Sequence, residues 1–200
     1  MTPRTVIDVS RLPTYTYGHR SPVWWGAVGF MLIEGVTFVM VIAIYFYLAQ
    51  AAPEWPLGVG PPALIYGTIN TLILLVSAWP NQWTIRAARE ENPRKVRIGM
   101  SICLAFAVAS LVVRGFEFHW LNCNWDTNAY GSIVWLIMGL HTLHVATDAG
   151  DTAVLLALMF REPIKGKNYS DVNDNSVYWY FVVLAWLPLY FVIYWAPRMH

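Results

Sequence analysis

The sequence predicts an all-α, polytopic membrane protein: a bundle of five transmembrane helices. Three observations carry this. Five apolar stretches, about residues 23–49, 63–82, 98–118, 130–160 and 176–196, approach or exceed the roughly 20 residues that a spanning helix needs. The chain is 57% hydrophobic and only 12% charged, with mean hydropathy +0.44; an average soluble domain carries about twice that charged fraction. With the N-terminus in the cytoplasm, eleven of the 13 Lys and Arg fall on the cytoplasmic side, leaving Arg114 and Arg198 outside, a clear positive-inside bias.

Residues 1–22 are polar, contain Pro3, Pro13 and Pro22, and lack the short apolar region and small-residue site of a cleavable signal. They read as a cytoplasmic arm running along the membrane or a partner. The first span, 23–49, holds a single charged residue, Glu34. A carboxylate at that depth costs roughly 3 kcal/mol on insertion scales and by default marks function. The second span carries Asn70, Thr71 and Ser77, polar groups of the kind that hold membrane helices together. Arg86 to Arg97 reads as a solvated cytoplasmic loop that sets topology and touches anionic lipid. In the third span Arg114 and Glu117, three apart, are expected as an interfacial pair at the outer end. Cys103 and Cys123 are separated by mostly helical chain, too far for a bridge.

The fourth span places His141, His144, Asp148 and Asp151 at spacings of 3, 4 and 3, so they fall along one side of the helix. That stripe must face protein or water. At about 1.5 Å per residue, His141 and Glu34 both lie near the midplane, so a Glu34–histidine hydrogen bond or ion pair is expected. Three readings stay open. The side chains satisfy one another; or His-x-x-His with carboxylates holds a divalent ion, although a second such helix is missing; or the groups relay protons. For the relay, Asp148 and Asp151 continue toward the cytoplasm, but nothing polar continues outward from His141. The fifth span, 176–196, is closed by aromatic residues suited to a membrane interface. There is no Gly-rich phosphate loop, CxxC pair, soluble domain, paired haem ligands or copper thiolates, and the net charge of +1 gives no nucleic-acid signal.

Five stretches in order resemble the subunit III family of the haem–copper oxidases (cytochrome c oxidase subunit III) in its five-helix form: Gly18-His19-Arg20-Ser21-Pro22, Ile33-Glu34-Gly35-Val36-Thr37-Phe38, Asn70 to Ser77, Tyr130-Gly131-Ser132 through Gly139-Leu140-His141-Thr142-Leu143-His144-Val145, and Tyr178-Trp179-Tyr180-Phe181 to Trp195. The resemblance covers nearly the whole chain. It implies an accessory subunit in a bacterial inner membrane, with no catalytic residue, metal or haem of its own. Haem and copper would sit in partner subunits, above all the catalytic subunit I, with a respiratory supercomplex as a further partner. It implies support of proton uptake, protection of the catalytic centre during turnover, and bound phospholipid. Glu34 would take the place of the family's carbodiimide-reactive glutamate, and Glu34, His141, His144 and Asp148 would form the intramembrane polar core. His19, Arg20 and Arg161 would meet lipid phosphate; a snorkelling helix-end anchor is the other reading of Arg161. Departures from the family pattern are Asp148 for Gly, Tyr180 for His, Val183 for Asp, Ala78 for Ser and Arg114 for Gln. They suggest a divergent branch with a different oxidase type or supercomplex. The first two helices of the family's longer form are absent, so the lipid cleft must be closed by another chain or left open. The alternatives are a subunit III-like component of a quinol oxidase or nitric oxide reductase and, from another class, a free-standing membrane metal enzyme or transporter.

Overall fold

The structure, a computed structural model, describes residues 16–161 and 164–199. Most of the expected N-terminal arm, with Arg4 and Arg11, lies outside the described residues. After a short 3-10 turn at Gly18–Arg20 come five long helices: α1 (Pro22–Ala51), α2 (Leu64–Arg89), α3 (Pro93–His119), α4 (Ala129–Phe160) and α5 (Gly166–Tyr190). The last runs on through a π-helical turn, Phe191–Trp195, and a 3-10 turn, Ala196–Arg198.

The helix starts are written locally. Pro22 and Pro93 open α1 and α3, where a missing N–H costs nothing. The Asn92 side chain accepts from the Lys95 N–H at 3.2 Å, and that of Asn128 from the Gly131 N–H at 2.8 Å, so both cap orphan donors. Arg86 to Arg97 is therefore not the expected loop. Helix α2 runs to Arg89, three residues turn the chain, and α3 begins at Pro93. The charges ride on helix ends, and Arg97 Nε donates to the Met159 carbonyl at 2.7 Å.

Four helices, α1, α3, α4 and α5 with its extension, are long and apolar enough to cross a membrane. Helix α2 is of similar length but less apolar. Its polar side chains Asn70, Thr71, Ser77, Asn81 and Thr84 are buried, while Ile65, Leu72, Leu75, Val76 and Trp79 are exposed. Polar groups inward and apolar groups outward is the arrangement that a hydrocarbon solvent demands. The protein is a multi-pass membrane protein.

Helix α2 packs on α3 and α5, and α4 packs on α3 and α5, so these four form the core. Helix α1 rests mainly on α4 and α5. It buries one narrow stripe, Phe38, Val41, Tyr45 and Ala49, and leaves the rest of its apolar surface uncovered. Arg86, Arg89, Arg94, Lys95, Arg97, Arg161, Lys165 and Lys167 gather at one end of the bundle, called here the basic end.

Helix α5 begins ten residues before the expected span. Its first turns are polar, yet Asn173, Asp174 and Ser176 are buried. Asn81 Nδ2 donates to the Ser176 carbonyl at 2.8 Å, Arg89 Nε to Asn173 Oδ1 at 3.3 Å, and Asn175 Nδ2 to Thr152 Oγ1 at 2.8 Å. Hydropathy treats polarity as exposure; here α2 and α4 supply partners to Asn173, Asn175 and the Ser176 carbonyl inside the bundle, and Asp174 Oδ1 accepts from Asn173 Nδ2 at 3.1 Å. Cys103 and Cys123 are both free, and burial pushes the Cys123 thiol, in the loop before α4, up to about 11.

That loop folds back onto the first turn of α4. Ser132 Oγ donates to the Trp125 carbonyl at 2.6 Å and Trp135 Nε1 to the Cys123 carbonyl at 2.9 Å. The close approach requires Gly131, because a Cβ there would lie 2.1 Å from the Asn124 carbonyl oxygen. Gly131→Ala is expected to destabilise the protein by about 1–3 kcal/mol, as overpacking against backbone does. Ser132→Ala should cost about 1 kcal/mol, as for one hydrogen bond. Thermal denaturation in detergent distinguishes them.

Candidate functional site

Two polar centres lie on neighbouring faces of α4. Residues three apart on an α-helix are rotated by 300°, so His141 and His144 point about 60° apart. That angle divides the expected single stripe. His141 and Asp148, seven apart, are buried in the bundle; His144 and Asp151, also seven apart, look toward α1 and the groove beside it. The Phe38 ring packs against both histidines, 6.4 Å from His141 and 4.9 Å from His144.

The first centre is built around Arg114. Its Nη1 is 2.8 Å from Glu117 Oε2, and its Nη2 is 3.1 Å from His141 Nδ1. Both members of the ion pair are 2% exposed, so this is not the expected interfacial pair. The guanidinium has no route to the surface because Trp186 covers it, with its ring centre 3.9 Å from Arg114 Cζ. Asn70 Nδ2 donates to Glu117 Oε2 at 3.3 Å, Ser110 Oγ donates to Asn70 Oδ1 at 2.7 Å, and the Tyr194 hydroxyl donates to Glu117 Oε1. Trp186 Nε1 donates to Thr71 Oγ1 at 2.8 Å. Polar groups thus do continue from His141 toward the end opposite the basic one, as far as Arg198, whose Nη1 donates to the Tyr194 carbonyl. Sequence reading named Asn70, Thr71, Arg114 and Glu117 but missed their continuity with His141, because the groups come from four different helices.

His141 Nε2 lies 3.1 Å from the Val182 carbonyl, which only accepts. Nε2 therefore carries the proton, and Nδ1 accepts from Arg114. With both ring nitrogens engaged, His141 does not pair with His144 to chelate an ion. Among the described residues no three His, Cys, Asp or Glu converge.

The second centre holds Glu34. Its Oε1 is 3.0 Å from His144 Nε2, and Oε2 accepts from the Tyr178 hydroxyl at 2.8 Å. The expected Glu34–histidine contact forms, and its partner is His144 rather than His141. His144 Nδ1 is 2.6 Å from the Leu140 carbonyl. The pair forms part of the wall of a cavity of about 620 Å³ between α1, α4 and α5. Asp151, Asp171 and Asp174 line it toward the basic end, Val23, Ala27 and Phe30 form its apolar side, and among the described residues no Lys or Arg lines it. Tyr178, Asp174 and Asp171 on α5 are spaced 4 and 3, so they face the groove as a ladder. The α5 carboxylates were missed because residues 166–175 read as a loop; their helical spacing was the signal.

The remaining expected residues lie apart. Asp148 is buried within the bundle, in a separate small chamber. His19, Arg20 and Arg161 are exposed at the basic end. Trp25 Nε1 donates to the His19 carbonyl at 2.9 Å and ties that turn to α1. The Tyr180 hydroxyl donates to the Ala78 carbonyl at 3.1 Å and to Gln82 Oε1 at 2.9 Å, and Val183 is part of the apolar core.

Comparison with known proteins places this geometry. The family model described as cytochrome c oxidase subunit III matches residues 4–197. Proteins named cytochrome c oxidase subunit 3 are similar along most of the chain. That of Drosophila melanogaster is 27% identical, covering 94% of this chain and 76% of its own length. That of Synechocystis sp. is 24% identical, over 89% and 77% respectively. The ostrich protein, from Struthio camelus, is 26% identical, over 94% and 76%.

The Arg114–Glu117 pair yields a direct test. Glu117→Gln leaves a buried guanidinium without its counter-charge and is expected to cost about 3 kcal/mol. Removing both charges, as Arg114→Met with Glu117→Leu, should recover only part of that loss, because the uncompensated charge is gone but Asn70 Nδ2, the Tyr194 hydroxyl and His141 Nδ1 lose their partners. Thermal denaturation of the single and double variants checks the sign of the coupling.

Proposed function

The chain belongs to the cytochrome c oxidase subunit III family and is an accessory subunit of that oxidase; from that premise we propose that it gathers protons in its acidic groove on behalf of the catalytic subunit. The observation that carries this is the Glu34–His144–Tyr178 triad at the head of the groove. The Leu140 carbonyl only accepts, so His144 Nδ1 carries a proton. The 3.0 Å contact between Nε2 and Glu34 Oε1 then needs one proton between them. It rests on the carboxyl or on the imidazole, and the pair has the same net charge either way. A proton therefore crosses this contact with the net charge of the pair unchanged, the two charges of the ion-paired form lying side by side, which is what a relay needs. Asp151, Asp171 and Asp174 give the groove a negative field that raises the local concentration of cations, protons included.

Phospholipid belongs at the rim in this reading. The carboxylates of the groove repel phosphate, whereas His19, Arg20 and Arg161 are exposed at the basic end and offer it charge-assisted hydrogen bonds. Acyl chains would then lie along the uncovered face of α1. All five helices span, residues 1–22 form a cytoplasmic arm, and the C-terminus lies on the outer side, in agreement with the lysine and arginine bias. The membrane is a bacterial inner membrane. Partners are the catalytic subunit I and other oxidase subunits, which carry the haem and copper, and through them a respiratory supercomplex. This chain performs no redox step.

Purification through a tag on this chain is expected to bring haem and copper with larger subunits, seen in a reduced-minus-oxidised spectrum and by metal analysis. A haem-free single chain would overturn the assignment to the complex. In the assembled oxidase, Glu34→Gln and His144→Ala should each slow proton uptake about tenfold, equivalent to 1.4 kcal/mol. The double variant should be no slower than the slower single one. Multiplicative losses would show that the two residues act separately.

A further inference from the structure

Asp148 is 2% exposed and plays no part in either polar centre. It lines a small chamber of about 10 Å³ together with Asn81 and Thr84 of α2, Cys103 of α3, Thr152 of α4 and Asn175 of α5. Its Oδ1 is buried without a hydrogen-bond partner. Among the described residues no Lys, Arg or His lines the chamber. Cys103 from α3, Asp151 on α4 and Tyr178 from α5 are ionisable groups that interact with Asp148, and none of them is a cation; His144, one turn earlier on α4, is engaged with Glu34. Helix α2 contributes only an amide and a hydroxyl, and α1 does not reach the chamber. An ionised carboxylate enclosed in this way has no counter-charge, the costliest state for a buried group. A chamber of this size holds one water, given several polar partners.

The Asn175 side chain lines both this chamber and the acidic groove. Its Nδ2 donates to Thr152 Oγ1 at 2.8 Å, so the Thr152 hydroxyl accepts there and keeps its own proton to donate. Asn175 is the partition between the two compartments.

We propose that this chamber is a proton-holding site, in which Asp148 stands as a neutral carboxylic acid bridged by one bound water to Thr152 and exchanges its proton with the groove past the Asn175 side chain. In the exchange the carboxyl proton passes to the bound water, which gives up one of its own to a groove carboxylate, Asp151 or Asp174. Total charge is conserved, and the reverse transfer restores the acid. The role as a reserve for the groove rests on the proton-gathering reading above; the neutral acid and its water do not.

Infrared spectroscopy of the intact oxidase, with isotope-labelled aspartate, tests this. A protonated-carboxyl stretch is expected in the wild type, shifted by deuterium oxide and absent from the near-isosteric Asp148→Asn. Asn175→Ala should shorten its exchange time at least tenfold. If Asp148→Asn does not assemble, Thr152→Val serves in its place: loss of a partner should shift the same band. A spectrum unchanged by these substitutions overturns the neutral acid, and exchange indifferent to Asn175→Ala overturns the route. Should Glu34→Gln leave proton uptake intact while the Asp148 band persists, the groove reading fails and the site stands.

Discussion

A guanidinium that cannot reach water organises this bundle. Arg114 lies beneath the Trp186 ring, and its charge must be met from within. Glu117 meets it from the same helix, His141 from α4, and Asn70 of α2 and Tyr194 from beyond α5 complete the coordination of the carboxylate. In lipid there is little hydrophobic force to drive one helix onto another, so directional polar contacts and close packing set the arrangement. The network joins the four core helices at one level and holds His141 in a single tautomer. Helix α4, thus oriented, presents His144 to α1. The groove therefore depends on a centre that never touches it.

The rotation of about 60° between His141 and His144 separates two kinds of chemistry. On the inner face both nitrogens of the His141 imidazole are engaged. On the outer face His144 lies 3.0 Å from Glu34 beside a cavity lined by carboxylates. Helix α1 itself is loosely seated. Its single buried stripe seats it on α4 and α5, and its remaining apolar surface is uncovered.

Much of the fold was legible in the chain because a bilayer restricts the choices. Long apolar segments must be helices, and Pro22, Pro93, Asn92 and Asn128 mark where they begin. The start of α5 was not legible, since Asn173, Asp174 and Ser176 have the composition of a loop and become helical only through α2 and α4. Glu34, His141, His144 and Asp148 stood out as polar groups in apolar surroundings, which singles them out without any knowledge of their partners.

The sequence by itself determined the helical class, the lysine and arginine asymmetry and the presence of a carboxylate and two histidines at similar depth, because each depends on local composition or spacing. Only the tertiary structure decided the pairings. It took Arg114 and Glu117 from an expected interface into the core, assigned His144 rather than His141 to Glu34, and enclosed Asp148 with Thr152 and Asn175. Those outcomes rest on side chains brought together from separate helices, and periodicity along one helix says which face a residue occupies but not what stands opposite.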